Sequence, residues 1–276
     1  MAADITLSAL GTENDRLDIL HHMVCMVLNG ALHLAPIGKD TKRILDIGTG
    51  TGIWATEMGE SWFNPSLQIL GVDLSPIQPK FVPTNVRFEI DDVESPWTYT
   101  KPFDYIHSRY MVASIENWPA LVKRAYENLK PGGWVEFQDF DINLYPDDGT
   151  LMESSDLRRW NVQLIDGYRK LKREPCPGPL LKGLLQNAGF QNITHRQWKM
   201  PTGPWPKDKD LKTLGAYNLL QLLEGFEGFS LAPFTRALGW TADEVQILVE
   251  GVKKDIQNPK IHSQFDFHVA YAQKPL

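Results

Sequence analysis

Cysteine and excess positive charge are both scarce in this sequence, and each scarcity excludes a class of site or partner. Two cysteines occur among 276 residues, Cys25 and Cys176, and neither stands in a spacing typical of zinc ligands. We therefore expect no disulfide framework and no bound metal. The chain carries 28 basic and 34 acidic residues, a formal net charge of -6. Neither nucleic acid nor an anionic membrane is therefore the expected partner.

Long apolar runs are missing as well. The longest, at 23–34, is interrupted by Asn29, Gly30 and His33, and the first residues lack the basic stretch of a secretory signal. These features predict a protein of the cytoplasm. Hydrophobic residues make up 42% and charged residues 22% of the 276, which is typical of a globular protein with one α/β domain and additions.

Short apolar strands alternate with helices through the first half of the chain. A helix is predicted over 14–34, with Asn14 as its N-cap and Gly30 as its stop. Strands are predicted at 43–47, 68–72, 86–90, 103–107 and 134–139, and further helices at 54–60 and 118–129. This alternation indicates a parallel sheet with helices on both faces and a ligand site at the carboxyl ends of the strands.

The second half of the chain has a mainly helical pattern. Helices are predicted near 156–171, 180–188, 207–223 and 241–256, and strands at 193–200 and 265–272. A capping box, T-A-D-E from Thr241, marks the start of the last helix. The glycine- and phenylalanine-rich stretch E-G-F-E-G-F-S at 224–230 is predicted to be a loop.

A glycine-rich motif, D-I-G-T-G-T-G, connects the first predicted strand to the helix that follows it. A dinucleotide fingerprint would require glycine at position 53, which is Ile53 here. The spacing favours the S-adenosylmethionine loop of class I methyltransferases. Glycines let the backbone approach a cofactor closely, and free N–H groups at a helix start suit its methionine carboxylate. The candidate cofactor-binding residues of this loop are Asp46, Gly48, Thr49, Gly50 and Gly52.

Further candidate cofactor-binding residues follow the next two strands. Asp73 ends the second strand, where a carboxylate can accept hydrogen bonds from both ribose hydroxyls. Asp92 and Val93 follow the third strand and are expected to bind adenine through a side-chain acceptor and a backbone N–H. Leu74 and Arg16 complete the set, Arg16 as a partner of the methionine carboxylate or, alternatively, of Glu13 or Asp18.

The sequence resembles the LaeA-like methyltransferases of filamentous fungi over nearly its whole length. The resemblance is carried by D-R-L-D-I-L-H-H (15–22), L-D-I-G-T-G-T-G-I-W-A (45–55), G-V-D-L-S-P-I-Q-P (71–79), V-R-F-E-I-D-D-V-E-S-P-W (86–97), F-D-Y-I-H-S-R-Y-M (103–111), L-K-P-G-G-W-V-E-F-Q-D (129–139), G-P-W-P-K-D (203–208), L-L-E-G-F-E-G-F-S (222–230) and I-H-S-Q-F-D-F (261–267). It implies S-adenosyl-L-methionine as cofactor, S-adenosyl-L-homocysteine as product, and a role in secondary metabolism.

The resemblance also implies a class I, Rossmann-like α/β fold. This is a seven-stranded sheet with helices on both faces, its last strand antiparallel, plus N-terminal and C-terminal helical caps. The implied organisation is a single domain over 1–276, with a helical cap at 1–40, a cofactor-binding core at 41–200, a helical cap insertion at 201–260 and the last strand at 261–276.

Two histidines are the candidate catalytic residues. Methyl transfer from a sulfonium is an in-line displacement, so positioning and exclusion of water supply most of the acceleration, and a base is needed only for a protonated acceptor. His107, at the carboxyl end of the fourth strand, is the first candidate base. Its alternative is packing beside adenine or bonding to the backbone. His22 is the second candidate, since only one of the adjacent His21 and His22 can face a site on a helix.

Another group of side chains is expected to line the acceptor pocket. These are Arg109 and Tyr110 after the fourth strand, Asp139 at the end of the fifth, and the cap aromatics Trp205, Tyr217 and Phe226. Arg109 has an ion pair with Asp104 as its alternative. The three aromatics, with Phe229 and Trp240, have core packing as theirs.

Three functions are compatible with the sequence. The leading one is an O- or N-methyltransferase acting on a small secondary metabolite or its biosynthetic intermediate. The second is a LaeA-like regulator, with a nuclear location, that binds velvet-type proteins. The third is an S-adenosylmethionine-binding enzyme that catalyses a non-methylating reaction. The short segment before Asp15 and L-S-A-L-G-T at 7–12 depart from the regulator pattern, so the enzyme is expected.

Overall fold

The structure, a computed structural model, describes residues 13–61 and 66–276, so the expectation about residues 7–12 lies outside it. The elements in chain order are α1 Glu13–Val27, β1 Arg43–Ile47, α2 Ile53–Ser61, β2 Gln68–Asp73, β3 Val86–Ile90, β4 Phe103–Arg109, α3 Trp118–Asn128, β5 Leu129–Pro146, α4 Asp156–Lys170, α5 Leu181–Asn187, β6 Gln191–Pro201, α6 Lys209–Ala232, α7 Ala242–Ile256 and β7 Ser263–Gln273. A short 3-10 turn, Gly178–Leu180, precedes α5, and a π-helical segment, Pro233–Ala237, follows α6.

One sheet contains the seven strands in the order β3-β2-β1-β4-β5-β7-β6. β1 runs parallel to β2 and β4, β2 parallel to β3, and β4 parallel to β5. β7 runs antiparallel to β5: Trp134 meets Tyr271, whereas Phe140, later in β5, meets the earlier Phe267. The expected seven-stranded class I fold, including its antiparallel last strand, is confirmed.

The described chain divides into two compact units. The sheet unit contains residues 27–141, 173–198 and 267–276, and the helical unit contains residues 13–26, 142–172 and 199–266. The single-domain organisation expected from the sequence stays a prediction.

Apolar strand residues in the sheet unit alternate between two buried faces, which is why helices cover both. Leu45, Ile106 and Val135 belong to one core, together with buried residues of α3 and α5. Ile44 and Tyr105, their chain neighbours, belong to the other core, together with Trp54, Ala55 and Met58 of α2. Because successive strand residues point to opposite faces, the short apolar runs are enough to fill both layers.

In the helical unit, α6 continues through the stretch predicted to be a loop. The segment 224–230 is helical, and its Gly225, Phe226 and Ser230 are buried. The Trp160 indole packs edge-on against Phe226 at 4.9 Å and donates a hydrogen bond to Ser230 Oγ at 2.7 Å. The loop prediction is therefore wrong. Burial of one helix face offsets the cost of each interior glycine, roughly 1 kcal/mol.

The predicted helix and strand ends are correct in some places and wrong in others. The capping box at Thr241 is confirmed, with both reciprocal hydrogen bonds to Glu244 present. Asn14 is not the N-cap of α1, because the helix already begins at Glu13. β5 extends seven residues beyond its predicted end, to Pro146, so that Asp139 lies inside the strand. None of the helices in the described ranges combines the length and the apolar character needed to cross a membrane.

Candidate functional site

The glycine loop after β1 adopts a backbone that only glycine accepts readily. Gly48, Gly50 and Gly52 have φ values of +67°, +55° and +80°, in the left-handed region. A Cβ on Gly48 would overlap Met111 Sδ, and one on Gly52 would overlap the Phe88 ring. α2 begins directly after the loop, so the alternating glycines bring its N-terminus to the carboxyl edge of the sheet.

Hydrogen bonds to Asp46, to the end of β2 and to Gln78 hold this loop. Thr49 Oγ1 donates to Asp46 Oδ2 at 2.6 Å, and Thr49 N–H donates to the carbonyl of Val72 at 3.0 Å. Gly50 N–H donates to Asp73 Oδ2 at 2.9 Å, and Gln78 Nε2 donates to the Gly50 carbonyl at 2.7 Å. The sequence did not single out Gln78, since its contact depends on the path of the chain after β2.

The residues after β2 and β3 fit an adenosine-bearing cofactor. The second oxygen of Asp73 accepts a hydrogen bond from Ser75 N–H at 2.9 Å, and each carboxylate oxygen retains acceptor capacity for a ribose hydroxyl. Leu74 is 70% exposed, and so offers an apolar surface to a flat ring. Asp92 is exposed and accepts hydrogen bonds from Glu94 N–H and Ser95 Oγ, whereas the Val93 side chain is buried, which leaves the backbone of that residue for the expected contact.

His107 lies in the interior of the sheet. β4 continues to Arg109, and His107 is in register with Asp46 on β1 and Glu136 on β5. The imidazole is 0% exposed, stacks on Trp54 with ring centroids 3.7 Å apart, and donates from Nδ1 to Asp46 Oδ1 at 2.7 Å. Burial lowers the pKa of His107 although the Asp46 carboxylate raises it. The expected placement of His107 at the carboxyl edge of the sheet is therefore wrong, because β4 continues for two residues beyond it.

Arg109 takes part in a polar cluster on the sheet. Its Nε donates to Gln138 Oε1 at 2.7 Å, and its Nη2 donates to the Leu32 carbonyl at 3.2 Å. That carbonyl also accepts hydrogen bonds from Gln138 Nε2 and Trp54 Nε1. The expected alternative, a pair with Asp104, is wrong, because Asp104 forms its ion pair with Lys130 and accepts hydrogen bonds from the backbone N–H groups of Lys42 and Arg43.

Glu136 is a buried carboxylate to which the sequence assigned no role. It is 0% exposed and accepts hydrogen bonds from the N–H groups of Leu34 and Ala35 and from Gln138 Nε2. The carboxylate thereby ties the segment between α1 and β1 to the sheet. A charged residue inside the apolar run W-V-E-F is the one signal of this in the sequence.

Asp139 is also buried, at 1% exposure, and faces the turn after β4. Its carboxylate accepts hydrogen bonds from the N–H groups of Met111, Val112 and Phe140. Burial raises the pKa of Asp139 to about 7, against the opposite effect of these hydrogen bonds. Tyr110, the first residue of this turn, packs edge-on against Phe140 at 5.6 Å. Asp139 was expected at the end of β5, but it lies inside that strand and contacts the backbone of a turn.

The N-terminal candidates of the helical unit lie among its own side chains. Arg16 forms an ion pair with Glu13, donates to Gln221 Oε1 at 3.3 Å and lies over the Phe229 ring at 5.0 Å. The ion-pair alternative with Glu13 is therefore confirmed, and the contact with a methionine carboxylate stays a prediction. His22 is exposed and packs edge-on against Tyr217 at 5.0 Å, whereas His21 is buried.

The cap aromatics are used mainly in packing. Phe226 is 0% exposed, so the expectation that it lines a pocket is wrong, since it reaches no open space. Trp205 stacks on His262 at 4.9 Å and donates from Nε1 to the Ser263 carbonyl. Trp240 packs against Phe234 at 5.2 Å, with the Arg159 guanidinium over its ring.

Comparisons with known proteins identify close relatives. The sequence model described as Methyltransferase domain matches residues 20–195. Methyltransferase pytC of Aspergillus terreus is 46% identical over 264 residues, which span 95% of this chain and 81% of pytC. Secondary metabolism regulator LAE1 of Cochliobolus heterostrophus is 39% identical over 270 residues, spanning 95% of this chain and 87% of LAE1.

A solved structure with a similar fold is phosphoethanolamine N-methyltransferase 2 of Haemonchus contortus, in complex with phosphomonomethylethanolamine and S-adenosylhomocysteine. Its TM-score is 0.53 at 21% identity, with 96% of this chain and 53% of that chain covered. At this identity the likeness shows the fold alone.

Proposed function

Because the chain belongs to the LaeA-like family of class I, S-adenosylmethionine-dependent methyltransferases, we propose that its acceptor is a small molecule of fungal secondary metabolism, methylated at oxygen or nitrogen. The observation that carries this proposal is the 46% identity to Methyltransferase pytC across 95% of this chain. The net charge of -6 supports a small acceptor over nucleic acid.

The sheet unit contains the residues that would hold the cofactor. The loop at 48–52 supplies backbone that a ligand can approach closely, and Asp73 supplies acceptors for ribose hydroxyls. Leu74 and the backbone at Val93 would meet the adenine. When bound, S-adenosylmethionine supplies an electrophilic methyl group on a positively charged sulfur.

The residues of this chain contribute to the reaction chiefly by positioning. His107 donates to Asp46, and Asp46 in turn accepts from Thr49 of the glycine loop. The buried imidazole therefore supports the glycine loop through Asp46. It has no exposed surface with which to contact an acceptor. Holding an acceptor in line with the sulfonium and excluding water account for most of the expected acceleration. His22, which is exposed, stays the candidate base for an acceptor that must lose a proton.

The proposal is tested by transfer of an isotopic label. The purified protein would be incubated with S-adenosylmethionine labelled at its methyl group and with a panel of fungal secondary metabolites and their biosynthetic intermediates. We expect the label in one small-molecule product, analysed by mass spectrometry. The control is Gly50→Val, which should give no labelled product because it blocks the loop. Failure of the wild-type protein to label any intermediate would contradict the proposal.

The 39% identity to Secondary metabolism regulator LAE1 favours a second candidate function, regulation through velvet-type proteins. Affinity purification of the tagged protein from fungal cells separates the two. The enzyme should be cytoplasmic and recover no velvet-type protein, whereas the regulator should be nuclear and recover one. Fluorescence microscopy of the same tagged chain checks its location independently.

A further inference from the structure

The turn after β4 has a backbone that side-chain-bearing residues rarely adopt. Tyr110 and Ala113 have φ values of +59° and +57°, in the left-handed region that favours glycine. Non-glycine residues persist there only where their surroundings fix them, and such positions cluster at functional sites. The four residues 110–113 are called the β4 turn below.

The four successive backbone N–H groups of the β4 turn all have acceptors. Tyr110 N–H donates to the Gln138 carbonyl, and Ala113 N–H donates to the Glu174 carbonyl, at 3.0 and 2.9 Å. The two central N–H groups, of Met111 and Val112, both donate to the Asp139 carboxylate, at 2.9 and 3.1 Å. One side chain therefore fixes the middle of the turn.

Burial makes the position of Asp139 unfavourable for a carboxylate, and the hydrogen bonds that the carboxylate accepts offset this cost. The residue is 1% exposed, and burial raises the pKa of its carboxyl group to about 7. An apolar residue would fill the same space without that desolvation. What the carboxylate supplies in return is acceptors for three backbone N–H groups, those of Met111, Val112 and Phe140.

The β4 turn meets the glycine loop through Met111. The sulfur of Met111 lies against Gly48, so closely that a Cβ on that glycine would overlap it. Gly48 is the first glycine of the cofactor loop and has a φ of +67°. The hydrogen bond from Met111 N–H to Asp139 fixes the backbone that carries the Met111 side chain. The position of that side chain in turn limits where the glycine loop can lie.

We propose that Asp139 is a positioning residue for the cofactor site, acting through Met111 to hold the glycine loop in its binding conformation. This inference rests on the methyltransferase function proposed above. Asp139 touches neither cofactor nor acceptor in this assignment. The chain of contacts runs from its carboxylate to the Met111 backbone, and from the Met111 side chain to Gly48.

Calorimetric binding of S-adenosylhomocysteine to the whole purified protein tests the proposal without knowledge of the acceptor. The variants are Asp139→Ala, Met111→Ala and the double variant. We expect at least a tenfold loss of affinity for Asp139→Ala and a severalfold loss for Met111→Ala. The double variant should lose no more affinity than the weaker-binding single variant, because both substitutions break the same chain of contacts.

The matched control is Asp104→Ala. Asp104 also accepts hydrogen bonds from two backbone N–H groups, those of Lys42 and Arg43. It lies at the amino end of β4, whereas the β4 turn follows the carboxyl end. This variant should melt at a lower temperature and bind S-adenosylhomocysteine within twofold of wild type. Asp139→Asn, whose amide oxygen retains one acceptor, should bind with intermediate affinity.

The outcomes distinguish this proposal from the one on which it rests. A wild-type protein that does not bind S-adenosylhomocysteine would count against the methyltransferase function itself. If the wild type binds, additive losses in the double variant, or equal losses in Asp104→Ala, would overturn the positioning role. Should Asp139→Ala not fold, Met111→Ala and Asp139→Asn decide the matter, and wild-type affinity in both would overturn it.

Discussion

Gly50 and Asp73 meet through a single hydrogen bond that joins the glycine loop to the end of β2. At the scale of the residue, this contact combines two requirements, a left-handed backbone at Gly50 and a carboxylate at Asp73. Neither requirement tolerates an ordinary substitution. The neighbouring His107, Asp46 and Thr49 form a second chain of contacts that supports the same loop from inside the sheet.

Substitution of either residue in the loop contact should weaken cofactor binding. Asp73→Ala removes an acceptor whose hydrogen bonds are each worth roughly 1.5–3 kcal/mol, so the affinity for S-adenosylhomocysteine should fall by about tenfold or more. Gly50→Val forces a β-branched residue into a φ of +55° and should have at least as large an effect. Calorimetry on variants with native circular dichroism is the measurement. Wild-type affinity in either variant would refute the site.

His107 should act through Asp46 and not on the acceptor. His107→Phe keeps a ring against Trp54 but removes the donor to the buried Asp46 carboxylate, which costs roughly 1–3 kcal/mol. We expect weaker cofactor binding and, at saturating cofactor, turnover within a few-fold of wild type. His107→Asn offers an amide donor and should recover part of the affinity. A loss of about 10²–10⁴ in turnover at saturating cofactor would instead make His107 a base.

At the scale of the element, local sequence determined the start of α7, whereas helix and strand lengths depended on distant contacts. The capping box at Thr241 places the start of α7 with four residues, because its hydrogen bonds join groups only three positions apart. α6 instead passes through two glycines that would normally favour a loop, because Phe226 and Ser230 find partners on α4. Those partners lie about 70 residues away in the chain, outside the short stretch of sequence from which a helix or a loop is predicted.

The cap of α7 offers a test at this scale. Thr241→Ala removes the hydroxyl that accepts from Glu244 N–H and should destabilise the protein by about 1 kcal/mol. For a chain of this size the melting temperature should then fall by roughly 2–4 °C. Differential scanning calorimetry measures the shift, with Thr241→Ser as the control that retains the hydroxyl. An unchanged melting temperature in Thr241→Ala would show that the cap contributes nothing.

At the scale of the whole molecule, the buried carboxyl group of Asp139 links global stability to pH. Its pKa is raised from 3.8 to about 7 in the folded protein, so the folded state binds this proton more tightly than the unfolded state. The stabilisation is fully present below about pH 4 and is lost as the pH rises through about 7. Its full size is about 4 kcal/mol at most.

Urea unfolding of the wild-type protein and Asp139→Asn isolates this effect. Because the amide does not titrate, the free energy of unfolding of the wild type relative to Asp139→Asn should fall as the pH is raised from about 5 to about 8. Other titrating groups cancel in the comparison. A constant difference across this range would show that Asp139 does not titrate there.

The sequence by itself determined the parts of this protein that depend on short spacing. The strand and helix alternation, the alternating glycines from Gly48 to Gly52, Asp73 at the end of β2 and each sequence block of the family resemblance involve residues close together in the chain. Their geometry follows from side-chain periodicity and from the backbone freedom of glycine.

Only the tertiary structure decided which side chains meet. These meetings join positions from 27 to 77 residues apart: the contacts of buried His107 with Asp46 and Trp54, the hydrogen bonds of Arg109 to Gln138 and Leu32, and the hydrogen bonds of the β4 turn to Asp139. Such contacts depend on strand order and on where each strand ends. Strand ends in turn depend on burial against distant elements, because hydrogen bonding along a strand continues as long as a neighbouring strand offers partners.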